Sequence, residues 1–184
     1  MPKVLVTLAN GFEEIEAVSI VDVLRRAGIE VTLAGVETMH PVGAREIEIK
    51  ADCLLEGLSA DNFDMIILPG GASGVEVLAL NSNVQQLLKD FDEKNLLISA
   101  ICAAPYALDC AGVLKDAYTC YPSFEESIKT SGYTKEKSIV ETKNIITSRG
   151  PGTAICFSLE IVKKLLGEPT ALSLKEGLLV NYCD

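Results

Sequence analysis

A regular alternation of short apolar runs with longer helical patterns constrains the fold of this chain more than any other feature. The apolar runs are rich in Val, Ile and Leu and occur at residues 3–9, 30–36, 64–68, 96–101 and 144–148. Helical patterns with start and stop signals lie between or after them, at residues 14–27, 82–91, 103–111 and 153–166. Because continuous apolar strands are typical of a parallel sheet covered on both faces, we predict an α/β sandwich.

Two further segments alternate polar and apolar residues, REIEI at 45–49 and KSIVE at 137–141. This pattern indicates half-exposed strands or a hairpin added to the sheet. The helical pattern 14–27 has a wider apolar face than one packing surface needs, which favours a second partner, expected to be another copy of the chain. We see no internal repeat or linker and expect one domain over residues 1–184.

The composition argues against several classes of function. The 184 residues carry a formal net charge of −10, and the pI is near 4.6. DNA or RNA needs clustered Lys and Arg, so we expect no nucleic-acid partner. No apolar stretch approaches the roughly 20 residues of a membrane span, and the first apolar run is too short for a signal sequence. We therefore expect a cytoplasmic protein without a membrane partner.

The cysteine and histidine content argues against a metal site and against a disulfide framework. No two cysteines have C-x-x-C spacing, and all six are scattered through the chain: Cys53, Cys102, Cys110, Cys120, Cys156 and Cys183. A chain of this size can fold without disulfide bonds, so we predict free thiols in a reducing compartment. The only histidine, His40, lies in a polar turn. We expect neither a metal nor another cofactor.

Cys102 stands where the apolar run 96–101 ends and the helical pattern 103–111 begins. In open α/β sheets the ligand crevice lies beyond the carboxyl ends of the strands, where helix N-termini point their amides. A thiol at such a place can have a pKa well below the ~8.5 of free cysteine and act as a nucleophile. The alternative interpretation is that Cys102 is a small buried hydrophobic residue.

Two more features fall at the same edge of the predicted sheet, a PGG turn and an acidic cluster. Gly70 and Gly71 can form a simple tight turn, but their amides, with that of Ala103, could also stabilise an oxyanion. A carboxyl group that reaches a thiolate must be protonated to donate a hydrogen bond, and the nearby charge raises its pKa. Such a group suits proton transfer. The spacing does not show which acid would reach the thiol. Each could instead be present only because a negative charge is favourable at a helix N-terminus: Glu13, Glu14 and Glu16.

Five motifs occur in an order and spacing that resemble a known superfamily. They are GFEEIEAV, RRAGIEVTLAG, ILPGG, AICAAPYAL and TSRGPGT, and they span nearly the whole chain. Together they resemble the ThiJ/PfpI superfamily, most closely the branch of the parkinsonism-associated protein DJ-one and bacterial YajL. The resemblance implies a flavodoxin-like three-layer sandwich with a mainly parallel central sheet, of the class I glutamine amidotransferase-like type. It also implies a homodimer.

The resemblance further implies roles for individual residues. Cys102 matches the family nucleophile, and Glu16, the last acid of EEIE, matches the carboxylic acid that hydrogen-bonds it. Gly70 and Gly71 match the turn that faces the thiol. By the same comparison, residues that line the site or pack beside it are Arg26, Arg45 and the loop 148–153.

The chain departs from the family pattern at residue 121. The branch has a His-Pro dipeptide downstream of the nucleophile, whereas this chain has Tyr121 followed by Pro122. A histidine-dependent step is therefore not expected, and Tyr121 becomes a site-lining candidate. Peptidase-like members carry a histidine directly after the nucleophile, where this chain has Ala103. This difference argues against peptide hydrolysis.

The resemblance implies two main classes of function. The first is an enzyme acting on small reactive carbonyls, a glutathione-independent glyoxalase or deglycase that converts methylglyoxal to lactate. Cys102 would add to the aldehyde, and Glu16 would move a proton between adjacent carbons. The second is an oxidative-stress sensor or chaperone that works through oxidation of Cys102. Thiazole monophosphate biosynthesis and a cysteine hydrolase are further alternatives.

Overall fold

A computed structural model of the chain describes residues 1–183 and shows a seven-stranded sheet with helices on both sides. The strands lie in the spatial order β3-β2-β1-β4-β5-β7-β6. All neighbouring pairs are parallel except β6 and β7, which form an antiparallel hairpin at one edge. The strands are β1 (Lys3–Leu8), β2 (Glu30–Gly35), β3 (Cys53–Leu54), β4 (Met65–Leu68), β5 (Leu97–Ile101), β6 (Ile139–Thr142) and β7 (Ile145–Ser148). The predicted α/β sandwich is confirmed.

Six α-helices cover the sheet. They are α1 (Glu14–Arg26), α2 (Ala72–Leu80), α3 (Ser82–Glu93), α4 (Pro105–Cys110), α5 (Ala154–Leu166) and α6 (Glu168–Gly177). The four helices and five main strands predicted from the sequence agree with these bounds to within two residues. The sequence patterns did not predict α2, α6 or the two-residue strand β3.

Burial explains why these segments fold as they do. All four residues of β4 are buried, as are five of the six in β1, because both faces of the sheet are covered. Helix α1 ends where Gly28 takes a left-handed conformation with φ 79°, which costs glycine nothing. Its outer face leaves Ile15 and Val18 exposed, at 58% and 52%.

Two local predictions are wrong, and local hydrogen bonds explain both. Segment 45–49 is not added to the sheet. Its residue Glu48 instead forms an isolated antiparallel bridge with Val42 in a local hairpin, and the amides of Arg45 and Ile47 donate to the Glu14 carboxylate, at 2.5 and 3.5 Å. The pattern 82–91 also begins with Ser82, which predicts a Ser cap, but helix α3 is capped by the Asn81 side chain, which accepts from the Asn83 and Val84 amides. In contrast, the predicted strand at 137–141 is confirmed as β6, paired with β7.

The prediction of six free thiols is also wrong. Cys156, in the first turn of α5, forms a disulfide with Cys183 near the end of the chain, with a Cα–Cα distance of 5.3 Å. The two residues are 27 positions apart, and only the return of the C-terminal segment onto α5 brings them together. The remaining four cysteines are free: Cys53, Cys102, Cys110 and Cys120.

Within residues 1–183, no helix is both long enough and apolar enough to cross a bilayer. Over the same part of the chain, no group of three or more His, Cys, Asp or Glu side chains is arranged to hold a metal ion.

Candidate active site

Cys102 lies at the edge of the sheet where the parallel strands end, directly after β5. Its backbone has φ 64°, a left-handed conformation that is strained for any residue other than glycine. The N–H of Cys102 donates to the Ser148 carbonyl at 3.0 Å, and its carbonyl accepts from the Tyr121 N–H at 2.8 Å. These contacts to two other segments hold the strained turn in place and fix the direction of the side chain.

The thiol of Cys102 is nearly buried, with 9% of the residue exposed. The amides of Gly71 and Ala103 donate hydrogen bonds toward its sulfur. Gly71 has φ 99°, and a Cβ atom there would lie 2.2 Å from the Gly11 carbonyl oxygen. Glycine is therefore required at this position for the backbone to approach the sulfur.

Glu16 is fully buried in the first turn of α1 and lies beside the Cys102 thiol. One carboxyl oxygen, Oε2, accepts from the Gly70 N–H at 2.7 Å. The other, Oε1, is buried and has no partner of good hydrogen-bond geometry among residues 1–183. A Cβ atom on Gly70 would lie 2.5 Å from the Cys102 Cβ and 2.8 Å from Glu16 Oε2. The absence of a side chain at Gly70 allows the thiol and the acid to meet.

Burial dominates the electrostatics of this pair. It raises the pKa of Glu16 to about 7, although the hydrogen bond from Gly70 acts against the rise. Burial also raises the pKa of Cys102 to about 12, with the Glu16 charge as the second cause. The amides of Gly71 and Ala103 only partly offset these effects.

The prediction that the Cys102 thiol has a lowered pKa is therefore wrong, because burial outweighs the two amides that lower it. The predicted rise in the pKa of its carboxyl partner has the right direction, but burial is its main cause. Two buried acids in contact titrate as a unit, and in this pair the pKa of each group is raised. Glu16 has the lower pKa of the two and is therefore the group that ionises first and can accept the thiol proton.

The ring of Tyr121 lies near the Cys102 thiol. A Cβ atom on Gly150 would lie 3.1 Å from the Cδ2 of the Tyr121 ring and 4.0 Å from the Cys102 Sγ, so this glycine makes room between them. Tyr121 is 46% exposed and therefore stands at the mouth of the site. Thr153 holds the Gly150 backbone, donating to its carbonyl at 2.9 Å and accepting from its N–H at 3.2 Å.

The structure brings together Cys102, Glu16, Gly71, Ala103 and Tyr121, but other candidates have different places. The Gly70 amide is taken by Glu16, so it is not free to bind a substrate oxyanion. Arg26 lies ten residues after Glu16, about 15 Å along α1, and is exposed in an ion pair with Asp22 at 2.8 Å.

Arg45 is exposed on the loop between β2 and β3, and its guanidinium donates to the Ala44 carbonyl at 3.2 Å. Its backbone is anchored by Glu14, whose carboxylate is buried, with 5% of the residue exposed. The sequence does not predict this role for Glu14. Nothing in the motif distinguishes Glu14 from Glu13 and Glu16. His40 is exposed, as predicted, and its Nδ1 lies 3.0 Å from Glu48 Oε1.

Comparisons with known proteins agree with the fold and the motifs. Residues 2–164 match the DJ-1/PfpI family. The chain is 41% identical over 181 residues to "Protein dj-1beta" of Drosophila melanogaster, covering 97% of each chain. The crystal structure of that Drosophila protein superposes with a TM-score of 0.95 and 40% identity, covering 98% of this chain and 99% of the other.

Two further relatives carry informative names. "Glutathione-independent glyoxalase DJR-1.2" of Caenorhabditis elegans is 36% identical over 167 residues, covering 90% of this chain and 89% of the relative. A structure described as "Toxoplasma gondii DJ-1, oxidized" has a TM-score of 0.92 and 35% identity, covering 99% of this chain and 100% of the other.

Proposed function

This chain belongs to the DJ-1/PfpI family, and from that premise we propose that it is a cysteine-dependent enzyme acting on small reactive carbonyls such as methylglyoxal. The observation that carries the proposal is the geometry of the buried pair: Glu16 lies beside the Cys102 thiol, and its Oε1 has no hydrogen-bond partner of good geometry among residues 1–183. A nucleophile beside a group that can accept and return a proton is what this chemistry needs. The name of the C. elegans glyoxalase supports the same reaction.

The first step is addition of Cys102 to the aldehyde. Glu16 takes the thiol proton as the sulfur attacks the aldehyde carbon, so a C–S bond forms and the carbonyl oxygen becomes an alkoxide. The amides of Gly71 and Ala103, which face the sulfur, stabilise the developing negative charge. Glu16 then returns its proton to the alkoxide, which gives a hemithioacetal.

The second step moves a proton between adjacent carbons. The Glu16 carboxylate removes the proton from the carbon that bears sulfur, and an enediol forms. Return of a proton to the neighbouring carbon converts the enediol to a thioester of lactate. Water then cleaves the thioester, which releases lactate and restores the thiol. Because Tyr121 stands where the family has histidine, Glu16 carries most of the proton transfer, and we expect slow turnover.

Lactate formation from methylglyoxal tests this proposal. Cys102→Ala and Glu16→Gln should each lower kcat/KM by about 10²-fold or more, since each removes a group that acts in the transition state. Cys110→Ala is the matched control, because Cys110 is a free cysteine on the exposed surface, and it should retain the activity of the natural protein. Full activity in either of the first two variants would contradict the mechanism.

We propose oxidation sensing as a second candidate function of the same sulfur. The oxidized state of the Toxoplasma relative favours it, and the amides of Gly71 and Ala103 could donate to the oxygens of a sulfinate. After peroxide treatment, intact-mass analysis should find two added oxygens, located on Cys102 by peptide mapping. Uniform oxidation of several cysteines would argue against a sensor.

We also propose that the protein forms a homodimer through α1. Proteins of this family are typically dimeric, and α1 exposes the apolar side chains of Ile15 and Val18 next to a groove formed with β2. Burial of such a face between two copies is favourable. A cytoplasmic location and the absence of a nucleic-acid partner stay predictions from the sequence.

A further inference from the structure

We propose that Cys156 and Cys183 form a second thiol-based site, a reversible disulfide that exchanges with small thiols of the glutathione class. Its redox state determines whether the C-terminal segment, residues 178–183, is attached to α5. The proposal concerns sulfur atoms other than that of Cys102 and does not depend on the proposed function.

The disulfide lies where a small thiol can reach it. Cys156 and Cys183 are both partly exposed, whereas Cys102 and Cys120 are buried. Both half-cystines line a cavity of about 700 Å³ between β6, α5 and α6. Attack on a disulfide requires access to one of its sulfur atoms, and this cavity provides it.

The charges around the cavity suit a zwitterionic thiol. Three lysines and four glutamates contribute to its lining: Lys137, Lys163, Lys175, Glu136, Glu141, Glu160 and Glu168. Glutathione carries carboxylates and an ammonium group, so side chains of both signs can contact it. We therefore expect glutathione to enter without the electrostatic repulsion that a cavity lined by side chains of a single charge would cause.

The C-terminal segment has few other attachments. Val180 is buried and its N–H donates to the Lys175 carbonyl at 3.1 Å, while the Lys175 ammonium donates to the Cys183 carbonyl. In contrast, Leu179 is 88% exposed and Tyr182 is 59% exposed. Leu178 and Cys183 are partly buried against the core, beside the buried Val180, and the rest of the segment is exposed. Because an exposed segment opens at low cost, loss of the covalent link to α5 should raise the open population of residues 178–183.

Reduction of the disulfide by glutathione proceeds in two exchange steps. A glutathione thiolate attacks one sulfur of the disulfide, a mixed disulfide forms, and the other sulfur leaves as a thiolate that takes up a proton. A second glutathione thiolate attacks the glutathione sulfur of the mixed disulfide. Oxidised glutathione leaves, and the protein keeps two thiols. Two electrons pass from two glutathione molecules to the protein, and oxidised glutathione reverses the reaction.

The first test measures the redox state of the pair. The full-length Cys102→Ala protein is equilibrated in buffers with a range of ratios of reduced to oxidised glutathione, then quenched with acid and N-ethylmaleimide. Peptide mapping should show that Cys156 and Cys183 become alkylated together as the buffer becomes more reducing, and that the disulfide returns on reoxidation. Because the catalytic sulfur is absent, a failure here is distinct from a failure of the proposed enzyme.

Two variants sharpen this test. Cys110→Ser removes an exposed cysteine outside the pair and should leave the transition unchanged. Cys183→Ser leaves Cys156 without its partner, and this thiol should accept one glutathione from oxidised glutathione. The proposal is overturned if the disulfide persists in excess reduced glutathione, if both cysteines are alkylated in oxidised glutathione alone, or if mapping finds different pairing.

The second test measures attachment of the C-terminal segment. Trypsin cleavage after Lys175 in the folded protein should be about 10-fold faster after the disulfide is reduced, because cleavage follows the population of the open form. The Cys183→Ser protein should be cleaved at the fast rate in both buffers. Equal cleavage rates for the oxidised and reduced natural protein would show that the disulfide does not attach the segment.

Discussion

Cys102 and the Cys156–Cys183 disulfide lie near opposite ends of the short connection between β7 and α5, but the chain holds their sulfur atoms in different ways. Cys102 donates its N–H to Ser148 at the start of this connection, while Cys156 follows it in the first turn of α5. Cys102 is fixed by backbone hydrogen bonds from separate segments and is buried. The disulfide is partly exposed and links α5 to a segment that has little buried surface.

The two environments suit the two kinds of sulfur chemistry proposed for them. Addition to a carbonyl needs a sulfur, an acid and amide donors that do not move during the reaction, because misplacement of any of them is costly. Exchange with a small thiol needs access to the sulfur and a partner segment that can leave. We therefore expect the Cys102 region to be rigid and energetically costly and the disulfide region to tolerate change.

The largest effect is expected for Gly70→Ala. The new Cβ would lie 2.5 Å from the Cys102 Cβ, 2.8 Å from Glu16 Oε2 and 3.0 Å from the Ile101 carbonyl oxygen, so the thiol and the acid must separate. We expect kcat/KM for methylglyoxal to fall by about 10²-fold, or about 3 kcal/mol. The disulfide, measured by intact mass, should be unaffected.

Gly152→Ala is the matched control for this variant. Gly152 lies in the connection between β7 and α5 and lines the cavity beside the disulfide, and a Cβ there would have no atom within 4 Å. Its activity and its disulfide should match those of the natural protein. Activity of Gly70→Ala within about 3-fold of the natural protein would show that the catalytic region tolerates displacement, since a 1 Å misplacement can cost about 10²-fold.

The same contrast between regions explains what the sequence could predict. The layers, the parallel core and most element bounds follow from local signals, such as the apolar runs and the glycine after α1. Segment 45–49 could not be predicted, because its conformation depends on the buried Glu14 carboxylate from another element. The disulfide was missed for a related reason, since only the folded position of the C-terminal segment brings Cys183 to α5.

The site was predicted in part from position and in part from resemblance. The place of Cys102 after a buried strand pointed to the edge where parallel strands end, but the choice of Glu16 among three acids came from the family motif. The pKa of Cys102 was predicted with the wrong sign, because a helix N-terminus is visible in the sequence while the depth of burial is not. Arg26 came from the motif alone, and within one chain its side chain pairs with Asp22 rather than with the Cys102 pair.

The second prediction concerns the energetic cost of the buried acid. The pKa of Glu16 rises from 4.5 to about 7 in the folded protein, so the protonated form is favoured by folding. The associated stability is fully present below pH 4.5 and is lost as the pH rises through 7. Between pH 5 and pH 8, we expect the natural protein to lose about 2 to 3 kcal/mol of unfolding free energy relative to Glu16→Gln.

Urea unfolding at the two pH values measures this loss. Glu37→Gln is the control, because Glu37 is exposed on the surface, and it should follow the natural protein at both pH values. Reduction of the Cys156–Cys183 disulfide should lower stability by a similar amount at pH 5 and pH 8. Parallel behaviour of the natural protein and Glu16→Gln across this range would refute a raised pKa for Glu16.

The smallest effect is expected for Tyr121, which packs against Gly150 between the two regions. Its half-exposed ring beside the Cys102 sulfur should contact the substituent of the substrate, so Tyr121→Leu should lower the preference for phenylglyoxal over methylglyoxal by about 5-fold, or roughly 1 kcal/mol. Tyr121→Phe keeps the ring and should retain both activities. A loss of about 10-fold in Tyr121→Phe for both substrates would instead show that the hydroxyl takes part in proton transfer, and Glu16 would then not carry that step alone.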